Sequence, residues 1–359
     1  MRAIVIGAGV IGVAVAAGLA RRGARVTVLD AGRPGAGTSG TTFAWVNAAN
    51  KEPESYFALN VAGMRAHRDL AGDHAPWYFP TGNLERATTD EHRAALAAKL
   101  DRLGASGYPA RRLTAAQARE LEPDLAHTDG ADHAFFPGEA YVLPVPLLAR
   151  LLAEARDRGA TVRTRTEVTE VDGGKVRTAA GTRYDADVVV SCAGRWTTRV
   201  AAMAGADVPM IDPDLAGSPA VAFLATTAPV PVRLSRVLHT SRLHVRPDGG
   251  GRLMLHALDL DGLADPAAPA PGVAAEFVRR LPEVLAGADD VPVEAVRIGQ
   301  RAIPGDGRTV AGFTDPGFYV VATHSGITLA PLLGELVAGE VFGTPSAMLT
   351  DFRPDRFTP

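Results

Sequence analysis

Gly7, Gly9 and Gly12 stand at G-x-G-x-x-G spacing, and Asp30 follows 18 residues after the last of them. These residue types at this spacing do one kind of chemistry. Gly7 permits a tight turn, Gly9 lets backbone approach a pyrophosphate with no Cβ in the way, and Gly12 lets a helix lie close to a strand. A helix starting there offers free N–H groups and a positive dipole end to phosphates, while an acid about 20 residues on accepts hydrogen bonds from a ribose hydroxyl. The pattern therefore predicts dinucleotide binding. Taken alone it does not tell a nicotinamide from a flavin cofactor.

Other polar residues are less tightly patterned. His244, Arg246, Arg252 and His256 fall on alternate positions of the hairpin "RLHVRPDGGGRLMLH", so one face is polar, turned either to a site or to solvent. His324 precedes a helix and reads equally as a buried, satisfied histidine or as a catalytic one. No paired carboxylates and no Ser-His-Asp set are evident. Cys192 is the single cysteine, which excludes an intrachain disulfide and any multi-Cys metal site. It ends the apolar run Val188-Val189-Val190-Ser191 and reads as a buried structural thiol.

The elements that must hold these residues follow from periodicity. Ala3–Ile6 and Arg25–Leu29 read as buried parallel strands flanking a helix that ends near Gly23. The spacing predicts helices over Ser55–Ala71 and Asp90–Leu103, a strand over Pro80–Arg86, and a helix from Thr114 with a Thr114/Gln117 capping box. A helix over Pro146–Arg158 and strands at Thr161–Thr166 and Asp185–Ser191 come next. The segment Val221–Ala302 is β-rich, turning at Asp248–Gly251 and interrupted by an Ala/Pro-rich loop at Asp265–Gly272. A strand at Phe318–Ala322 and a helix over Thr328–Phe342 close the pattern, with Pro331 placed in the helix's first turn, where its missing N–H costs nothing.

Composition bounds the rest. The 359 residues are 47% hydrophobic, and 37 basic residues nearly balance 40 acidic ones, so no pull toward nucleic acid or an anionic membrane is implied. The apolar run from Ile4 also has features of a signal peptide or a membrane anchor. A bilayer span needs about 20 apolar residues, and Arg21 and Arg22 interrupt this one. A cytoplasmic protein with no membrane and no nucleic-acid partner is expected.

Four blocks together resemble the FAD-dependent oxidoreductases of the D-amino acid oxidase type, the group that includes glycine oxidase and sarcosine oxidase. They are Gly7–Asp30, Gly37-Thr38-Ser39, "DADVVVSCAGRW" at Asp185–Trp196, and "GQRAIPGDGRTVAG" with "YVVATHSGITLAP" across Gly299–Pro331. The resemblance implies an α/β fold: a Rossmann-like FAD-binding domain (1–50, 140–215 and 303–359) interleaved with an α+β substrate domain (51–139 and 216–302) carrying a mixed β-sheet. It implies non-covalent FAD, because no cysteine lies near the C-terminal motifs. Gly7, Gly9, Gly12 and Asp30 would bind the ADP half, Thr38 and Ser39 the pyrophosphate, and Val168 the adenine through its backbone. Ala193, Gly194 and Trp196 would form a second approach to the cofactor, although Trp196 by itself reads as core packing.

A helix N-terminus at Gly326, Ile327 and Thr328 would face the flavin, where a positive dipole end raises electron affinity. Arg301 matches the family arginine that holds a substrate carboxylate bidentately; its alternative is a salt bridge. His244 and His256 would face the flavin, and Lys51, beyond Trp45 and Asn47, would favour oxygen activation. Ala302 and Thr309 replace the family's prolines, and Asp30 is shorter than its common Glu. The implied activity is oxidation of a carbon–nitrogen bond of an amino acid or related amine to an imine, with oxygen or another acceptor reoxidising the flavin. The alternatives are a specialised biosynthetic flavoprotein acting on a modified amino acid or larger amine, an NAD-dependent dehydrogenase, and a non-catalytic flavin-binding protein.

Overall fold

The strand Arg2–Ile6 lies inside a six-stranded sheet in the order Val310–Asp315, Phe318–Ala322, Val188–Ser191, Arg2–Ile6, Arg25–Leu29, Thr161–Arg163. All of its pairings are parallel except that of the edge strand Val310–Asp315. The structure is a computed structural model and describes residues 1–215, 217–263 and 272–357. Alternation splits each central strand between two cores. Ala3, Val5, Val188, Val190, Tyr319 and Val321 join one apolar cluster, while Ile4, Ile6, Val189, Phe318 and Val320 join another. A sheet buried on both faces needs such continuously apolar strands.

Helices Val10–Arg21, Pro144–Asp157 and Gly326–Val341 cover the first face. The antiparallel sheet Val168–Asp172, Lys175–Thr178, Arg183–Asp185 and the helix Thr197–Met203 cover the other. The helices Val10–Arg21 and Gly326–Val341 run side by side because small residues line their seam. A Cβ on Gly334 would sit 2.6 Å from the Ala14 carbonyl oxygen, and one on Gly18 would strike the Gly334 carbonyl. The contact brings both helix N-termini to the same end of the sheet.

The larger second sheet has eight strands, in the order Val293–Gln300, Val221–Thr227, Leu253–His256, His244–Pro247, Val237–Thr240, Asn83–Ala87, Asp132–Phe136, Arg111–Leu113. It is mixed, since Val237–Thr240 runs parallel to Asn83–Ala87 and the other neighbours are antiparallel. The hairpin turns at Asp248–Gly251 as expected, with the Asp248 amide donating to the Arg252 carbonyl, and the Thr114/Gln117 capping box is present. The strand expected over Pro80–Arg86 starts only at Asn83, because Gly82 adopts φ +84° just before it. The helix placed at Pro146 begins two residues earlier with Pro144, a residue suited to an opening turn. A helix at Val273–Arg280 lies in the segment read as β-rich. Of the loop Asp265–Gly272, all but Gly272 lies outside the described residues. No helix among the described residues is long and apolar enough to cross a membrane.

Pro331 departs from its expected place. The helix begins at Gly326, so Pro331 is an interior residue beyond the first turn. Its missing N–H leaves the carbonyl of Ile327, four residues back, without its helical donor. His67, buried on the helix Glu54–Ala71, lies with Nε2 2.7 Å from that carbonyl and donates to it, its ring stacked on Tyr78. Burial lowers the His67 pKa to about 4, although the bond to Ile327 opposes the shift.

Two outcomes follow. Gly334→Ala forces the two helices apart and is expected to lower unfolding free energy by about 1–3 kcal/mol in denaturant titrations. For His67 the folded pKa lies below the unfolded one, so the imidazole's contribution to stability is present above about pH 6.5 and is lost as pH falls toward 4. Unfolding free energies measured across that window should decline less steeply in His67→Gln, by about 1.4 kcal/mol per pH unit; an unchanged slope would remove His67 as the source.

Candidate active site

A cavity of about 1180 Å³ opens between the two large sheets, lined at one end by Gly7, Gly9 and Asp30 and at the other by His244, His256 and Arg301. It exceeds the range of about 300–1,000 Å³ usual for drug-sized ligands, as a dinucleotide with a substrate beside it requires. Gly12 does not line it. A Cβ there would run into the Gly7 carbonyl, so its role is the close seating of helix on strand. Gly7 itself holds φ +104°, and a Cβ would lie 2.5 Å from the Cys192 carbonyl oxygen. The helices Val10–Arg21 and Gly326–Val341 both present to this one cavity N-termini whose N-cap residues, Gly9 and Ser325, make no side-chain cap bond. Two such N-termini fit an elongated ligand that carries negative charge at two separated places.

Around the first N-terminus the side chains are already engaged. Asp30 accepts from the amides of Ala8 at 2.6 Å and Gly32 at 2.7 Å, and Ser39 Oγ accepts from the Val10 amide at 3.0 Å. Thr38 gives its hydroxyl proton to the Gln300 carbonyl at 2.6 Å. Val168, Ala193, Gly194 and Trp196 line the same end, with Trp196 45% exposed and stacked under the Arg195 guanidinium, so it is no core residue. Cys192 is buried and burial pushes its thiol pKa up, consistent with a structural role.

Around the second N-terminus, Gly326, Ile327 and Thr328 line the cavity, and the preceding Ser325 hydroxyl is 2.7 Å from Tyr56 Oη. His324 beside them is exposed to the open cavity, and desolvation by the cavity wall, followed by the facing charges of Lys51 and Arg301, lowers its pKa to about 3. It is neutral at pH 7. Lys51 also lies 5.9 Å from the Tyr56 ring centroid.

Arg301 is tied into a cluster that its own sequence neighbourhood does not announce. Its Nη2 donates to Asp261 at 2.6 Å and to His256 Nε2 at 3.1 Å, and its Nη1 donates to the carbonyls of Pro219 at 2.8 Å and Val221 at 3.4 Å. The salt-bridge alternative for Arg301 is thus realised, inside the cavity and not on the outer surface. Arg246 is fully buried and donates to the Phe43 carbonyl and to Asp248, whereas Arg252 leaves the polar face to pair with exposed Glu294.

His244 and His256 are brought together by strand register. Glu85, His239, His244 and His256 stand abreast on four neighbouring strands. Ring centroids are 4.2 Å apart for His239 and His244 and 5.4 Å for His244 and His256. Asp261, His239 and Glu85 were not anticipated; the pairing of strands 83–87, 237–240, 244–247 and 253–256 brings Glu85 and His239 to His256, and the short helix Leu258–Asp261 turns Asp261 back onto it. Glu139 was also missed. Fully buried, it accepts from Trp45 Nε1 at 2.9 Å, the Ala49 amide at 3.1 Å and the Tyr108 hydroxyl at 3.2 Å, and burial lifts its pKa to about 7. It fixes the loop that carries Trp45 and Asn47 to the cavity wall.

Comparison with known proteins bears on this geometry. Residues 2–340 match the model of the FAD-dependent oxidoreductase family. A glycine oxidase of Geobacillus kaustophilus is 28% identical over 350 residues, which is 93% of this chain and 91% of the relative. A crystal structure of glycine oxidase from Geobacillus kaustophilus superposes with a TM-score of 0.87 at 24% identity, covering 100% of both chains. An L-proline dehydrogenase structure from P. horikoshii gives 0.86 at 18% identity, covering 99% of this chain and 97% of the other. The glycine-rich cradle, the two helix N-termini and the match along 2–340 agree: the chain belongs to the FAD-dependent oxidoreductase family, and its cofactor is FAD, not a nicotinamide.

Proposed function

We propose that this enzyme oxidises the carbon–nitrogen bond of an amino acid or a closely related carboxylate-bearing amine. The observation that carries the reading is the charge pattern at the substrate end: Lys51 and Arg301 both face neutral His324 beside the N-terminus at Gly326. Lys51 and the helix N-terminus, with Arg301 held by Asp261 beside them, leave positive charge in excess around the pocket and favour a ligand with an anionic group; a carboxylate meets that requirement. The residues 1–50, 140–215 and 303–359 would hold FAD, with 51–139 and 216–302 closing the substrate side.

Bound there, FAD would supply the hydride-accepting chemistry at the substrate's α-carbon. The chain supplies the rest. Gly7, Gly9, Asp30, Thr38 and Ser39 hold the ADP and pyrophosphate portion, with Val168, Ala193, Gly194 and Trp196 around it. Gly326, Ile327 and Thr328 place N–H groups and dipole where negative charge develops. Arg301, steered by Asp261 and His256, orients the substrate, and fixing that geometry is a large part of what hydride transfer needs. Lys51 offers the fixed positive charge that assists whichever acceptor, oxygen or another oxidant, takes the electrons. Glycine oxidation in the Geobacillus kaustophilus relative is consistent with such a site.

The experiment is an anaerobic visible spectrum of the holoenzyme before and after pooled D- and L-amino acids and N-methyl amines. Bleaching of the flavin bands is expected, and persistence with every amine would sink the reading. With a substrate in hand, Arg301→Ala should raise KM about 10- to 100-fold, as the loss of charged hydrogen bonds worth about 1.5–3 kcal/mol predicts. The flavin should remain bound, and an unchanged KM would take Arg301 out of substrate binding.

A further inference from the structure

The rung Glu85, His239, His244, His256 carries hydrogen-bonding capacity that the protein itself does not use. His239, His244 and His256 line the cavity, and Glu85 does not. The two ends of the rung are engaged. His256 Nε2 lies 3.0 Å from Asp261 and 3.1 Å from Arg301 Nη2. Glu85 Oε1 accepts from His92 Nε2 at 2.9 Å, and its two oxygens accept from Lys99 Nζ at 2.9 and 2.8 Å. The two rings between them are free. Among the described residues no hydrogen bond reaches His239 or His244, and they make none with each other although their centroids are 4.2 Å apart. Of their four ring nitrogens, His239 Nδ1 is enclosed without a partner and the other three are open.

Polar groups in a protein interior are ordinarily hydrogen-bonded, and a small set left unpaired on a cavity wall is completed by the ligand. We propose that His244 and His239 form a side-chain subsite for a substrate that bears, beyond its α-carbon, an uncharged hydrogen-bonding group: a hydroxyl or a carboxamide. The inference rests on the amine-oxidation reading above and narrows its substrate class. Position agrees with it. Arg301 is bonded to His256, and the His244 ring centroid stands 5.4 Å from that of His256. A substrate whose carboxylate lies at Arg301 can extend a short side chain along the rung to His244.

Charge decides the class. Burial holds His239 and His244 below the usual imidazole range, so both rest neutral at pH 7, each with one N–H donor and one lone pair. Burial opposes the charge on Glu85, yet His239, His92 and Lys99 hold its carboxyl well below the usual range. Its Oε2 lies 3.4 Å from His239 Nδ1, too skewed for a hydrogen bond, but the negative charge favours the ring proton on that nitrogen and leaves Nε2 as an acceptor. His244 contacts no carboxylate and can present a donor and an acceptor at once. A hydroxyl or an amide, each both donor and acceptor, matches this pair. A second carboxylate would meet rings without charge, and a second ammonium would meet the like charges of Lys51 and Arg301 that face the same end. An apolar side chain would strip water from open nitrogens and return no bond. The neighbouring wall offers no competing partner: Leu224, opposite His256 on the next strand, and Ala222, two residues along, are apolar. Phe43 and Trp45 pack against the rings without adding charge.

The test sets amino acids of matched shape against each other on the holoenzyme: asparagine against leucine and threonine against valine, each in D and L forms. Anaerobic flavin reduction is followed by stopped flow in wild type, His244→Phe and His244→Gln, and the histidine ring nitrogens are followed by NMR as the same amino acids are added. In the wild type the polar member of at least one pair should be favoured about 10- to 30-fold in the second-order rate of reduction, as one or two neutral hydrogen bonds supply. Preference in the asparagine pair alone assigns a carboxamide, and in the threonine pair alone a hydroxyl. His244→Phe should bring the ratio close to one, while His244→Gln, which keeps a donor and an acceptor, should retain most of it. The favoured polar amino acid should shift the His239 and His244 ring-nitrogen resonances, and its apolar counterpart should not. No polar preference in either pair, or a preference that survives His244→Phe, would overturn the subsite. A wild-type flavin that no amine bleaches would refute the amine reading by itself. The resonances then decide the subsite, and ring nitrogens indifferent to asparagine and threonine overturn it.

Discussion

The contact of the helix Val10–Arg21 with the helix Gly326–Val341 sets where everything else can stand. With Gly18 and Gly334 at the seam, backbone meets backbone, and any side chain there would drive the helices apart. Because the two run alongside each other from the same end of the sheet, their N-termini open on one cavity, far along the chain from each other yet adjacent in space. Both ends of the cavity are thereby given a helix N-terminus suited to negative charge. The eight-stranded sheet is left to complete the far wall with His239, His244, His256 and Arg301.

The Pro331–His67 pair follows from that placement. A proline inside the helix frees the Ile327 carbonyl near the cavity-facing N-terminus, in the buried interior. Unpaired, such a buried carbonyl costs about 1–3 kcal/mol. An imidazole donor from the helix Glu54–Ala71 fills the gap and pins that helix beneath the site. The result is a helix start held by its own ladder, as in the Leu329 amide donating to the Ser325 carbonyl, and also by a side chain from another element.

The FAD-binding half was legible because its signals are local. Gly7 to Asp30 is one strand, one turn, one helix and one strand, and periodicity with glycine spacing is sufficient to read it. Pro331 was misplaced because the helix start lies at Gly326, two residues before the expected Thr328, and that shift turns a harmless first-turn proline into an interior one. The helix Val273–Arg280 escaped notice within a segment dominated by strand patterns. Glu85, His239 and Asp261 could not be read as a group at all. Each is a lone polar residue in an apolar or mixed stretch, and their chemistry exists only once four strands have found their register. Arg301 was recognised by motif, but its engagement with Asp261 was not, since nothing in the spacing of 261 and 301 implies a contact.

The rung also has a bearing on which changes in chain length the protein tolerates. Side chains alternate faces along a strand, so a one-residue slip in any of the strands 83–87, 237–240, 244–247 or 253–256 would carry its ionisable group to the opposite side of the sheet. A substitution there removes one group from the row; a single-residue insertion or deletion removes that group from the cavity wall and exchanges the buried face with the other. Loop lengths at the ends of these four strands thus decide which ionisable groups face the cavity. The turn at Asp248–Gly251 is the sharpest case, because it alone sets His244 against His256.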